Sequence, residues 1–228
     1  MSGSLVSADL RERVRAGIEP LARGLGRLGL TPNVLTLIGF GIAIVAGYFA
    51  ATQAWLVAGL LVAFGAVFDL FDGAVARATG TTSRFGAFMD STFDRAGEAV
   101  VYLGIAWGLG ARDIEGGVVG GQVLAMLALA ASFMVSYVRA KSESLGFTPG
   151  TGMANVGLAP REVRMMLVVI GLVLTGLVGG IGAEFFPNPA GQLALFGSLT
   201  LITVLATVTT IQRIYFVYRQ STSDKENQ

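Results

Sequence analysis

The chain has 228 residues, of which 53% are hydrophobic and 14% charged, and a mean hydropathy of +0.67; this balance excludes an ordinary soluble domain and predicts an all-α integral membrane protein. Cysteine and histidine are both absent, which removes disulfides, thiolate metal sites and the commonest general base. The formal net charge of +1 is uninformative as a total, so the placement of the charges carries the information.

No basic start with a short apolar core and a small-residue cleavage site is present, so no removable signal peptide is expected. Residues 9–28 place Val14, Ile18, Leu21, Leu25 and Leu28 at helical spacing, with Arg11, Arg13, Arg15, Arg23 and Arg27 mostly elsewhere around the helix. That pattern predicts an N-terminal interfacial amphipathic helix. Asp9 with Glu12 resembles a capping box, and Pro20 is expected to bend the helix.

Uncharged runs follow at 28–68, 116–138, 165–183 and 185–212. With about 20 residues needed per span, they predict six transmembrane helices at 33–51, 54–78, 86–110, 118–145, 160–181 and 190–216. Six spans put both termini on one side. Of the sixteen Lys and Arg residues only Arg112 then falls opposite, so that side is expected to be cytoplasmic. Gly39, Gly41 and Gly47, and later Gly176, Gly179 and Gly180, are expected to allow close helix approach. With no repeat or low-complexity segment, residues 1–228 read as one domain: the amphipathic helix, a membrane domain over 33–216 and a polar tail over 220–228.

Against this apolar background Asp69, Asp72, Asp90, Asp94, Arg95 and Glu98 lie near one level, where ionisable groups are costly unless they line a polar cavity or find a partner. At about 100° per residue, Asp69, Asp72, Gly73 and Ala76 share one face of the second span, while Gly86, Asp90, Asp94 and Gly97 share one face of the third. Four carboxylates so gathered repel one another unless some are protonated or a divalent cation intervenes. All-oxygen ligation suits Mg²⁺ or Mn²⁺, with Ca²⁺ also open, and four carboxylates could hold two ions able to clamp phosphoryl oxygens.

The stretch reads Asp69-x2-Asp72-Gly73-x2-Ala76-Arg77-x8-Gly86-x3-Asp90-x3-Asp94, and it resembles the signature of the CDP-alcohol phosphotransferase family at every fixed position. The resemblance implies a fold of six transmembrane helices with a cytoplasmic-side cavity, an amphipathic helix ahead of them, and a homodimer in the membrane lipids. Carried over by position, it implies that Asp69, Asp72, Asp90 and Asp94 bind metal, two Mg²⁺ ions or Mn²⁺, and that Asp94 is the general base. Asp69, Gly73, Ala76, Arg77 and Gly86, with Pro32 and Asn33 at the entry to the first span, would bind the CDP part of a CDP-diacylglycerol donor. The implied reaction is attack by a hydroxyl on the lipid-linked phosphorus with release of CMP.

The cytoplasmic ends of the last three spans add Arg139, Lys141, Arg161, Arg164 and Arg213. Each alone is compatible with a positive-inside anchor. As a set, "SYVRAK", "PREVR" and "QR" resemble the basic positions of the family's bacterial phosphatidylinositol phosphate synthase branch, as does "TPNVLT" at residues 31–36. That branch implies an acceptor-phosphate site, since guanidinium forks match phosphate geometry. Inositol phosphate is the expected acceptor, with glycerol 3-phosphate as the alternative and no nucleic acid as a partner. An ion-coupled transporter with intramembrane aspartates is the competing class; it is disfavoured because the aspartates sit near the helix ends and no broken-helix pair or half-repeat accompanies them. A scaffold with structural carboxylates would need more ion-pair partners than the nearby sequence offers.

Overall fold

Thr31 starts the first helix. Its hydroxyl accepts the Val34 N–H at 3.3 Å, and Pro32 takes the first helical position, where a missing N–H costs nothing. The computed structural model describes residues 30–110, 120–147, 156–182 and 189–226, with Pro20 and Gly24 ahead of them; the side chains of Leu70, Asp72 and residues 179–182, 189–191 and 223–226 lie outside that description. Among the described residues from 30 onward six helices follow in order: α1 (Pro32–Ala51), α2 (Trp55–Thr79), α3 (Arg84–Gly110), α4 (Gly121–Ser144), α5 (Arg161–Gly182) and α6 (Pro189–Glu226). All regular structure among the described residues is helical.

α1 packs on α2 and α3, α3 on α4, α4 on α6, α6 on α5 and α5 on α2, which closes a ring of six. The closest crossings use glycine. A Cβ on Gly104 of α3 would meet the Gly47 carbonyl of α1 and lie 2.8 Å from the Gly47 Cα, and one on Gly59 of α2 would lie 2.8 Å from Val173 of α5. Small residues here let backbones touch. Ala46, Ala50, Ala58, Ala125 and Ala128 are fully buried beside Ile105, Leu172, Leu195, Leu199 and Ile202.

The outside is as apolar as the inside. Leu60, Phe64, Trp107 and Leu193 are all more than half exposed, and helices apolar all round belong in hydrocarbon. α1, α2, α4 and the Gln192–Thr222 part of α6 are long and apolar enough to cross a bilayer; α3 and α5 carry ionisable groups in their first turns. The chain is a multi-pass membrane protein.

Five of the helices begin and end within three residues of the sequence expectation. α3 starts at Arg84 because the Ser83 hydroxyl accepts the Gly86 N–H at 2.9 Å and so caps the helix. α6 departs most: it runs to Glu226, beyond the expected end at 216, so most of the anticipated polar tail is helical. No Gly or Pro interrupts 212–226, and the Ser221 and Thr222 hydroxyls turn back onto the Tyr218 carbonyl. The expected amphipathic helix over 9–28 lies outside the described residues apart from Pro20 and Gly24, both helical, and Arg112 lies outside them too.

Candidate active site

α2 ends where Gly80 adopts φ 65°, a left-handed conformation that glycine takes without a Cβ penalty. The Gly80 and Thr81 N–H groups donate to the Arg77 and Ala76 carbonyls at 3.4 and 3.0 Å, closing the helix in the usual glycine C-cap manner. Ser83 then caps α3, so the turn reverses the chain within four residues and sets the aspartates of α2 and α3 at the same end of the ring. An added Cβ on Gly86 would lie 3.5 Å from Asn33 Oδ1, which brings the start of α1 to the same end.

A cavity of about 630 Å³ opens there, lined by Thr36, Gly39 and Phe40 of α1, Asp69 and Gly73 of α2, Asp90, Asp94, Gly97 and Glu98 of α3, and Arg161 of α5. Arg161 reaches across it. Its Nη1 donates to Asp69 Oδ2 at 2.9 Å and its Nη2 pairs with Asp94 Oδ1 at 3.0 Å. The other Asp94 oxygen faces Arg95 Nη1 at 3.4 Å, and Arg95 is held from behind by its Nε bond to Ser136 Oγ of α4 at 2.9 Å. Gly39 leaves the space beside Asp69: a Cβ there would lie 3.4 Å from its Oδ1.

One helical turn deeper, Glu98 and Arg164 form a second link between α3 and α5. Arg164 Nε and Nη2 each donate to one Glu98 oxygen at 3.0 Å, and Nη1 donates to the Ala159 carbonyl at 3.0 Å. Both side chains are 1% exposed. The segment before α5 is held from the other side by α6, where Thr209 Oγ1 accepts the Leu158 and Ala159 N–H groups at 3.0 Å and Arg213 donates to the Val156 and Val135 carbonyls at 2.9 and 2.7 Å.

The structure thus brings together Asp69, Gly73, Asp90, Asp94 and Arg161 around one cavity, with Asn33 and Gly86 beside each other at the same end of the ring. The Arg77 guanidinium lies close to Gly73, 3.2 Å from a Cβ built there, and half-buried Ala76 precedes it. Asp72 follows Asp69 by one turn of α2, with its side chain outside the described residues. Among the basic residues, Arg139 and Lys141 are exposed, Arg139 pairing with Glu143 at 2.9 Å. Arg164 and Arg213 are buried and committed to protein partners rather than lining the cavity, although Arg213 lies within electrostatic reach of Arg139, Arg164 and Arg95. Glu98 has no role in the sequence expectations beyond being ionisable. The spacing of Asp90, Asp94 and Glu98, four residues apart on one face of α3, is the signal that points to it.

The donor set suits a hard divalent cation: carboxylate oxygens on two helices, with no histidine or cysteine in the chain. Among the described residues no three acidic groups already enclose an ion position. Two of the carboxylates are instead drawn together by the Arg161 guanidinium, which marks where positive charge is required. The residues fit a metal that takes over part of that role.

The sequence pattern of the CDP-alcohol phosphatidyltransferase family matches residues 29–212. The chain is 35% identical over 208 residues to archaetidylinositol phosphate synthase of Pyrococcus horikoshii, covering 91% of this chain and 94% of that one. It is 33% identical over 204 residues to phosphatidylinositol phosphate synthase of Mycolicibacterium smegmatis, covering 87% and 82%. Crystal structures of the Mycobacterium tuberculosis phosphatidylinositol phosphate synthase superpose with TM-scores of 0.72 with CDP-DAG bound and 0.73 with manganese and citrate. Each is 29% identical, covering 88% of this chain and 93% or 88% of the other. The motif on α2 and α3, the cavity it lines and this match across most of the length establish that the chain belongs to the CDP-alcohol phosphatidyltransferase family.

Proposed function

We propose that this membrane enzyme transfers the phosphatidyl group of CDP-diacylglycerol to a hydroxyl of inositol phosphate, giving phosphatidylinositol phosphate and CMP. The observation that carries the reading is the cavity wall on which the motif carboxylates of α2 and α3 meet an arginine delivered by α5. That arrangement places an acidic, metal-suited face beside a phosphate-suited cation. The names of the relatives, archaetidylinositol phosphate synthase and phosphatidylinositol phosphate synthase, favour inositol phosphate over glycerol 3-phosphate.

In this mechanism Asp69, Asp72, Asp90 and Asp94 hold Mg²⁺, two ions by the count of carboxylates, with Mn²⁺ able to substitute. When bound, the metal neutralises charge on the diphosphate and on the departing CMP. Pro32, Asn33, Gly73, Ala76, Arg77 and Gly86 receive the CDP part of the donor. The small residues leave room for it and Arg77 faces its phosphates. The acceptor hydroxyl attacks the lipid-linked phosphorus, the bond from that phosphorus to the CMP oxygen breaks, and Asp94 accepts the hydroxyl proton. A carboxylate suffices because the alcohol becomes more acidic as it attacks. Arg139, Lys141, Arg161, Arg164 and Arg213 form the acceptor-phosphate site at the ends of α4, α5 and α6: Arg161 lines the cavity, and Arg164 and Arg213, bonded within the protein, add their charge from behind it. All six helices span the bilayer, residues 9–28 lie in its interface, the termini and active site are cytoplasmic, and two chains form the homodimer.

The test is CMP release by purified protein in detergent with CDP-diacylglycerol, Mg²⁺ and either acceptor. Faster release with inositol phosphate than with glycerol 3-phosphate is expected. The reverse order would reassign the acceptor, and no CMP with any acceptor would refute the reading.

A further inference from the structure

α3 and α5 face each other across the cavity rather than packing side by side, and two arginines bridge the gap. The outer bridge, Arg161 to Asp69 and Asp94, is partly open, with side chains 15–27% exposed. The inner bridge, Arg164 to Glu98, is closed, bidentate and 1% exposed. A pair buried in this way is held firmly, because breaking either half leaves an uncompensated charge. From the ion pairs and hydrogen bonds, we infer that Glu98 is a positioning residue for the acceptor: through Arg164 it fixes the first turn of α5 and aims the arginines there at the acceptor's phosphate.

Three observations carry this. The two-pronged grip of Glu98 fixes the guanidinium plane of Arg164 as well as its position. The same guanidinium holds the Ala159 carbonyl, two residues before α5 begins, so its orientation also sets where the helix starts. Arg161 stands three residues before Arg164, on the same face of α5. Glu98 itself is among the residues that line the cavity.

This inference rests on the acceptor reading above, and its failure is separable from the failure of that reading. Glu98→Gln, which keeps the shape and removes the charge, is expected to raise the acceptor KM by about tenfold, the loss typical of one charge-assisted hydrogen bond. The donor KM should stay within about twofold, because the donor site lies on α1 to α3. Glu98→Asp should recover most of the acceptor KM. Adding Glu98→Gln to Arg164→Met should leave the acceptor KM where Arg164→Met alone puts it, as expected when one residue acts through the other. A lower melting temperature with both KM values unchanged, an equal rise in both, or a further rise in the Arg164→Met background would overturn the assignment. Should either single variant fail to fold, the double variant compared with the parent still decides the question, since it leaves no buried unpaired charge: an acceptor KM no higher than the parent's would overturn the assignment. If the parent releases no CMP with inositol phosphate or glycerol 3-phosphate, the proposed function falls and this inference falls with it.

Discussion

On the proposed reading Arg161 occupies the place between Asp69 and Asp94 where a divalent cation binds, so the two compete, and Arg161→Met measures the competition. The side chain donates to Asp69 at 2.9 Å and to Asp94 at 3.0 Å. A charge-assisted hydrogen bond contributes about 1.5–3 kcal/mol; partial exposure argues for the low end, so the two bonds together oppose metal entry by up to about 3 kcal/mol. Some of this is recovered as the displaced guanidinium is hydrated or meets a phosphate. Retaining half gives about 1.5 kcal/mol, a roughly tenfold tighter apparent Kd for Mg²⁺ in the Met variant. Methionine keeps the bulk of the side chain, so the cavity wall is preserved. Isothermal titration of substrate-free protein with Mg²⁺, parent against variant, reads this directly, and the acceptor KM should rise in the same variant. An unchanged or weaker Mg²⁺ affinity would refute the competition and remove Arg161 from the metal's neighbourhood.

Two further outcomes are expected. Asp94→Asn should lower the rate of CMP release by about 10²–10⁴-fold, the usual span for a positioned general base, while the melting temperature holds; a variant with parental turnover would take the proton-accepting role away from Asp94. Gly104→Ala should destabilise the protein by about 3 kcal/mol, the upper part of the overpacking range, because the new methyl meets the Gly47 backbone and no flexible side chain can yield. Gly41→Ala, with nothing within 4 Å of its added Cβ, is the control, and thermal unfolding in detergent compares the two.

The helices were legible because hydrocarbon imposes long uncharged runs, and the reaction was legible because its carboxylates recur on a helical period at fixed gaps. Partnership was harder to read. Asp69 and Arg161 stand 92 residues apart and Glu98 and Arg164 stand 66 apart; no local periodicity records which cation meets which carboxylate across a ring. Glu98 and Asp94 look alike in sequence, being one turn apart on α3. What distinguishes them is depth, since one faces an arginine at the cavity wall and the other an arginine enclosed by protein. The burial of Arg213 has the same cause. It follows from two carbonyls, Val135 and Val156, that only the folded chain brings near it. Ser83 is the opposite case: a cap signal fully local to the sequence, and it shifts the start of α3 from 86 to 84.

The order of the ring has a consequence for how such an enzyme can change. Its first three helices are neighbours in the ring and so are its last three; the halves meet along one seam between α2 and α5 and another between α3 and α4. The motif carboxylates all belong to the first half. On the proposed reading, the cations that select the acceptor all belong to the second. Substitutions that retune the acceptor can therefore accumulate in one contiguous stretch of the gene while the bond-breaking machinery is inherited unaltered in the other. The condition is that the seams survive, and the one between α2 and α5 is closed by Gly59 and Gly176, where any side chain would press on the opposite half. In this chain those glycines lie outside the cavity lining, and exchanging one half against the other would have to keep the seam they close.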